Sequence, residues 1–205
     1  MKEELFNCHL DRLSSTIKSV RETAHDLHAS VNQTYGKSLP YAVHLDMVAD
    51  LAKKYAFNVI EDESDILPVI FGAYFHDSIE DARQTYNDIV KIASDYMDKE
   101  HAVMAAEIVY ALTNDKGRTR QERAGERYYK GIRETAYAPL VKMCDRLANT
   151  EFSYQGKDGV GKQMSSVYAR EYPHFIEAIT SELDDIKYSI PQQMKDRMQM
   201  ILSTK

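Results

Sequence analysis

The stretch ILPVIFGAYFHDSIED, residues 66–81, places one histidine and three acids directly behind an apolar run. Glu80 and Asp81 follow His76 and Asp77 at a spacing of four, so each pair shares a face if the turn is helical. Burying such groups without partners costs free energy. The stretch therefore predicts an apolar helix over residues 65–76 whose end brings four titratable side chains against the core.

Helical periodicity recurs along the rest of the chain. Val43, Met47 and Leu51 step by four, and apolar residues repeat in the same way between 140 and 148. The 8 glycines and 5 prolines fall where this pattern lapses, and no apolar alternation of period two indicates a strand. We expect an all-α fold of about eight to ten helices. The predicted helices are 3–31, 41–57, 65–76, 83–97, 100–113, 119–134, 138–153, 162–187 with a break at Pro173, and 191–202.

Composition limits the class of protein. A chain of 205 residues without a sharp change in composition predicts one domain, residues 1–205. No run approaches the roughly 18 apolar residues of a membrane span, and the N-terminus lacks a signal-peptide pattern, so we expect a cytoplasmic protein without a membrane partner. The net charge of -6 argues against nucleic-acid binding, and 2 cysteines are too few for a disulfide framework. Oligomeric state is left open.

Two further residues join the candidate site. The residues three, four and seven positions after His44 are apolar, which places its imidazole on an inward face, and Asp145 lies in a similar setting. Alone, His44 is better explained as a hydrogen-bonded core histidine. Together with His76 and Asp77, these side chains form a donor set that suits a divalent cation. Such a set leaves coordination positions open, which favours catalysis over scaffolding.

The order of these residues resembles a known family. His44, then His76-Asp77, then Asp145, all on predicted helices, is similar to the pattern of the HD superfamily of metal-dependent phosphohydrolases. FHDSIED, residues 75–81, resembles the HDxxED motif of the RelA/SpoT-type hydrolase domain, which removes pyrophosphate from the 3′ position of ppGpp and pppGpp. Similar segments follow the family order: NQTYGKSLPYAVH (32–44), ALTNDK (111–116), LVKMCDRLANT (140–150) and REYPHF (170–175). The likeness covers residues 20–180 and includes no synthetase region, as in the small stand-alone alarmone hydrolases.

The resemblance implies a fold, a metal and a catalytic pair. The fold would be an HD-type helical bundle, and the metal, usually Mn²⁺ in this family, would be held by His44, His76, Asp77 and Asp145. Glu80 and Asp81 would orient and deprotonate the attacking water, a role open to carboxylates beside a metal shell. Two acids at a helix end are otherwise commonly just solvated.

The substrate would be a strongly anionic nucleotide. Between residues 116 and 133 the chain has seven bases and two acids, and four of the bases recur on one predicted helical stripe: Arg120, Arg123, Arg127 and Lys130. A solvated face is an equally good explanation for most of them. The resemblance adds candidate substrate contacts, with Lys142 alternatively a structural partner for an acid. These are Tyr35, Lys37, Lys116, Lys142, Asn149 and Tyr172.

The chain departs from the family pattern at three positions. Tyr35 stands where the family commonly has an arginine that stacks on guanine, Leu45 replaces a proline, and Ala148 replaces a histidine. Tyrosine can also stack on a purine, but guanine preference is left open. Three functions are therefore compared: hydrolysis of ppGpp to GDP and pyrophosphate, hydrolysis of another nucleotide, and nucleotide sensing without turnover. The acids Glu80 and Asp81 argue against the third.

Overall fold

The computed structural model describes residues 1–114, 117–156 and 159–203. Within these ranges lie twelve α-helices, ten of them with eight or more residues, and one two-stranded sheet. The prediction of an all-α fold with eight to ten helices of ordinary length is confirmed. In chain order the helices are α1 Glu3–Arg12, α2 Ser14–Ser30, α3 Ala42–Tyr55, α4 Ile66–Phe75, α5 Ser78–Asp81, α6 Tyr86–Ala93, α7 Lys99–Leu112, α8 Arg120–Arg123, α9 Glu126–Glu134, α10 Ala138–Gln155, α11 Gly159–Ile179 and α12 Gln192–Ser203.

A short hairpin connects α2 to α3. Its strands, β1 (Thr34–Tyr35) and β2 (Leu39–Pro40), are antiparallel, and Gly36 turns the chain with a φ of 60° that glycine adopts without strain. The expectation of no strands was wrong here, because two residues per strand are too few to show a period of two.

The centre of the fold is α4. All ten of its residues are buried, and it packs against α2, α3, α7 and α10. A helix that is apolar on every side requires neighbours all round, which agrees with this position. Buried apolar side chains form one cluster that extends from Phe6 in α1 to Met198 in α12. Within the described ranges, no helix has both the length and the apolar composition to cross a lipid bilayer.

Several predicted helix boundaries need correction. The segment 3–31 is divided at Leu13 into α1 and α2. The segment 119–134 is divided into α8 and α9, with Gly125, a weak helix former, between them. The break expected at Pro173 does not occur, because α11 continues past it to Ile179, although it ends before residue 187. Similarly, α6 ends at Ala93 and not at residue 97, and α5 was not predicted.

Candidate metal centre and adjoining cleft

Four predicted ligands converge where α3, α4 and α10 meet. The Nε2 atoms of His44 and His76 are 3.2 Å apart. Asp145 Oδ1 lies 3.4 Å from Nε2 of His44 and 3.8 Å from Nε2 of His76. Asp77 Oδ2 approaches the same two nitrogens at 3.6 and 3.0 Å. Ligand atoms of His44, His76 and Asp145 lie within 4.8 Å of one another, a spacing that could hold one metal ion, and Asp77 flanks this group.

The two imidazoles differ in how they are held. His76 Nδ1 donates to the carbonyl oxygen of Ala73 at 2.9 Å, so its Nε2 presents a lone pair to the centre when the ring is neutral. Nδ1 of His44 is buried and has no hydrogen-bond partner among the described residues. Two imidazole nitrogens and two carboxylates form a donor set for borderline and hard divalent cations, so the side chains present fit a metal.

The pKa values show a site that attracts positive charge. Burial raises the pKa of Asp145, but Lys142 and the two histidines outweigh burial and hold it far below its usual range. Burial also raises the pKa of Asp77, but the two histidines, His76 foremost, outweigh burial and lower this pKa well below its usual value. At His44 burial lowers the pKa, and the two carboxylates more than reverse this and bring it to about 9. Both carboxylates are therefore ionised at neutral pH.

Neighbouring side chains orient the carboxylates. Lys142 Nζ donates to Asp145 Oδ2 at 2.9 Å, which matches the alternative role predicted for this lysine. Asn149 Nδ2 donates to Asp145 Oδ1 at 2.6 Å. The hydroxyl of Tyr41 donates to Asp77 Oδ2. Tyr41 was not predicted as a site residue, although it lies in the segment that resembles the family, three residues before His44.

Glu80 and Asp81 lie at the edge of the centre and have different surroundings. The carboxylate of Glu80 is exposed and accepts from Asn114 twice, from the backbone N–H and from Nδ2 at 3.0 Å. Asp81 is half-buried, and both burial and the charge of Asp77 raise its pKa. A carboxyl group of raised pKa accepts a proton more readily than an ordinary aspartate.

A cleft with a volume of about 660 Å³ opens from the centre. Its lining includes Arg123, Arg146 and Arg170 beside the acids already described. The Arg146 guanidinium binds Glu171 at 2.9 Å and lies 4.3 Å from the ring centroid of Phe175. Arg146 and Arg170 were not predicted, although both lie in segments that resemble the family.

Several predicted substrate contacts lie elsewhere. Tyr35, Lys37 and Tyr172 are not among the cleft-lining residues, and Lys116 lies outside the described residues. The ring of Tyr35 stacks on His44 with centroids 4.8 Å apart, and Lys37 is exposed in the hairpin turn. Tyr172 is buried, and burial followed by the charge of Asp196 on α12 raises its pKa.

The predicted basic stripe is also not continuous. Because α8 ends at Arg123 and α9 begins at Glu126, the four bases do not lie on one continuous helix, and Arg123 lines the cleft. Lys130 lies instead 3.9 Å from Glu134 on α9. A second depression, of about 710 Å³, lies among α3, α10 and α12 and contains none of the predicted residues.

The arrangement combines a buried group of side chains that could hold a cation, two acids at its edge and arginines along one cleft. Such a combination suits hydrolysis of a phosphate ester, in which a water must be activated and negative charge must be held. Compared with protein-family models and with curated proteins, the chain matches none.

Proposed function

We propose that the chain is a metal-dependent phosphohydrolase of the HD type, and that it removes pyrophosphate from the 3′ position of (p)ppGpp. The observation that carries this proposal is the convergence of two histidines and two aspartates from three helices beside Glu80 and Asp81. The resemblance of the chain to RelA/SpoT-type hydrolase domains supplies the nucleotide and the bond.

His44, His76, Asp77 and Asp145 would hold the cation, with Mn²⁺ as the expected metal. A bound divalent cation supplies Lewis acidity, which polarises a phosphoryl oxygen and makes water nucleophilic near neutral pH. Asn149 and Lys142 keep the Asp145 carboxylate in place, and Tyr41 does the same for Asp77.

Asp81 is the better candidate for the proton acceptor. Its raised pKa makes the carboxylate a stronger base, and Asp81 lines the cleft together with His44, Asp77 and Asp145. Glu80 already accepts two hydrogen bonds from Asn114, so we assign it to orienting the water and the loop that carries Asn114.

The arginines of the cleft would bind the phosphates. Arg123 and Arg170 are exposed and line the cleft, so their guanidinium groups are accessible to an anion. Arg146 is fixed between Glu171 and Phe175, and therefore contributes a positive charge in a defined position.

One observation favours a second candidate, an HD phosphohydrolase that acts on a different nucleotide. The ring of Tyr35 packs on His44, and its hydroxyl donates to Asn149 Oδ1 at 2.9 Å. In this position Tyr35 does not offer its ring to a base as the family arginine would, so guanine would need another binding surface.

The test is a substrate panel with purified protein. ppGpp, pppGpp, GTP, dGTP and ATP are each incubated with Mn²⁺, with and without chelator, and products are separated by anion exchange. Release of GDP and pyrophosphate from ppGpp, abolished by chelator, is expected. Turnover of another nucleotide alone would favour the second candidate, and Mn²⁺ binding without any turnover would indicate a sensing module.

A further inference from the structure

His44 lacks the contact that usually orients a metal-binding histidine. A histidine ligand normally donates its second ring N–H to a carboxylate, carbonyl or water, which fixes the tautomer and the ring plane. His76 satisfies this rule through Ala73, but Nδ1 of His44 has no partner among the described residues. Some other interaction must hold the His44 ring.

Two tyrosines surround that ring. Tyr35 stacks on His44 with centroids 4.8 Å apart and an interplanar angle of 23°, and Tyr41 meets it edge-on at 5.4 Å. The two tyrosine rings also contact each other edge-on at 6.2 Å. Behind Tyr41, the fully buried ring of His28 stacks at 4.8 Å and 14°. Aromatic pairs in these geometries have preferred orientations, so such packing restricts rotation of the rings.

The hydroxyl groups of the same tyrosines reach the carboxylates. Tyr41 donates directly to Asp77 Oδ2. Tyr35 donates to Asn149 Oδ1, and Asn149 in turn donates to Asp145 Oδ1. Each tyrosine therefore contacts the His44 imidazole with its ring. The hydroxyl of Tyr41 contacts the Asp77 carboxylate directly, and the hydroxyl of Tyr35 is linked to the Asp145 carboxylate through the amide of Asn149.

We propose that Tyr35 and Tyr41 are positioning residues of the metal centre, which orient His44 by ring packing and the two carboxylates by hydrogen bonding. The hairpin thereby becomes part of the centre, because Tyr35 lies on β1 and Tyr41 directly follows β2. This inference rests on the metal centre of the proposed function, and it gives Tyr35 a role other than stacking on a base.

The test measures Mn²⁺ affinity by the electron paramagnetic resonance signal of the free ion. Tyr35→Leu removes the ring and is expected to weaken binding about tenfold or more, the usual effect of losing a contact that orients a ligand. Tyr35→Phe keeps the ring and should stay within about fivefold of the wild type, because it loses one hydrogen bond. Tyr110→Leu, at a tyrosine 56% exposed on α7, is the control and should bind as the wild type. Thermal unfolding in chelator checks that each variant folds.

Different results separate the claims. Unchanged Mn²⁺ affinity in Tyr35→Leu, with only the KM for nucleotide raised, would overturn the proposal and make Tyr35 a substrate contact. Equal losses in Tyr35→Phe and Tyr35→Leu would overturn the role of ring packing. If Tyr35→Leu does not fold, Tyr41→Phe decides: weaker binding supports the proposal, and unchanged binding overturns it. Absence of Mn²⁺ binding by the wild type would instead remove the metal centre itself.

Discussion

One oxygen atom, Asp77 Oδ2, lies at the meeting point of three side chains. It accepts from the Tyr41 hydroxyl and faces Nε2 of both His44 and His76. A carboxylate in this position compensates the positive charge of a cation that binds beside the two nitrogens. Loss of that negative charge would leave the buried nitrogens with Asp145 in place of two neighbouring carboxylates, and so weaken the compensation of a cation's charge.

Asp77→Asn keeps the size of the side chain and removes its charge. We expect the variant to lose Mn²⁺ during gel filtration and to lose hydrolytic activity at the same time, which metal analysis and the product assay would measure. Asp50→Asn is the control, since that carboxylate is 71% exposed and binds Lys53 on the surface of α3. Unchanged turnover in Asp77→Asn would contradict the proposed function.

Asp81→Asn separates proton transfer from metal binding. Since Asp81 is proposed to accept a proton and not to bind the cation, the variant should retain Mn²⁺ while kcat falls about 10²-fold or more. Metal content and steady-state kinetics on the same preparation measure both. A parallel loss of Mn²⁺ would make Asp81 a ligand, and an unchanged kcat would remove it from catalysis.

Whether a site residue can be predicted from the sequence depends on how far along the chain it lies from its partners. His76, Asp77, Glu80 and Asp81 were recognised because they lie within six residues of one another behind an apolar run. The contact of Tyr35 with Asn149 joins residues 114 positions apart, and no local pattern reports it. For this reason Tyr35, which contacts the candidate ligand His44 in the folded protein, was predicted to be a substrate contact on the family resemblance alone.

At the scale of elements, α4 and α7 approach each other at Gly72. A Cβ placed there would lie 2.7 Å from Cγ2 of Ile108, well inside the normal contact distance. Gly72 lies four residues before His76, the first candidate ligand after α4. A side chain at position 72 would force α4 away from α7.

Gly72→Ala is expected to destabilise the fold by about 1–3 kcal/mol, the usual cost of overpacking a core. In an Ile108→Ala background, which has its own cavity cost, Gly72→Ala should cost less than in the wild type because the clashing atom is absent, and a double-mutant cycle in urea measures this coupling. Gly131→Ala is the matched control: its Cβ would meet nothing within 4 Å, and alanine favours the interior of α9 by up to about 1 kcal/mol. Equal effects of the two substitutions would contradict the packing argument.

The stability that polar contacts between α2 and α3 contribute is expected to depend on pH. Arg21 binds both oxygens of Asp46 at 2.7 Å, and His25 lies 2.9 Å from one of them. Burial raises the pKa of Asp46, but Arg21 and His25 outweigh it and lower the value below 3.8. A lowered carboxyl pKa contributes stability above the pKa of the unfolded chain, and this contribution disappears as the pH falls through the folded value.

Asp46→Asn should therefore cost up to about 1 kcal/mol at pH 7, as is typical of half-exposed ion pairs. The difference from the wild type should shrink as the pH falls below about 4. Urea unfolding at pH 7, 5 and 3.5 measures it, with Asp26→Asn on the exposed side of α2 as the control. A difference that stays constant over this range would show that the charge of Asp46 is not the cause.

Long amphipathic helices could be predicted from the sequence, but their ends could not. The apolar periodicity of α3 and α10 is local, and both helices were found near their observed bounds. The division between α8 and α9, by contrast, falls at Gly125 and was not predicted, and Pro173 is accommodated within α11 against expectation. Apolar periodicity repeats over many residues and so identifies a helix, whereas a helix end depends on single residues and frays by one or two positions.

At the scale of the whole molecule, the candidate metal ligands come from distant parts of the chain. His44 lies in the first turn of α3, His76 and Asp77 directly follow α4, and Asp145 lies in the middle of α10. These positions are adjacent only after the three helices have packed. A cation that needs all of them binds the native state and not the unfolded chain, so it must stabilise the fold by mass action.

Mn²⁺ should accordingly raise the midpoint of thermal unfolding. At a free concentration about 100 times its Kd, a ligand of the native state contributes about 2.7 kcal/mol. For a domain of this size each kcal/mol shifts Tm by about 2–4 °C, so a rise of about 5–10 °C is expected, reversed by chelator. Differential scanning calorimetry of the wild type and of Asp77→Asn measures it. Because Asp77→Asn keeps the fold but removes a ligand charge, its Tm should not respond to Mn²⁺, and an equal rise in both proteins would place the cation at some other site.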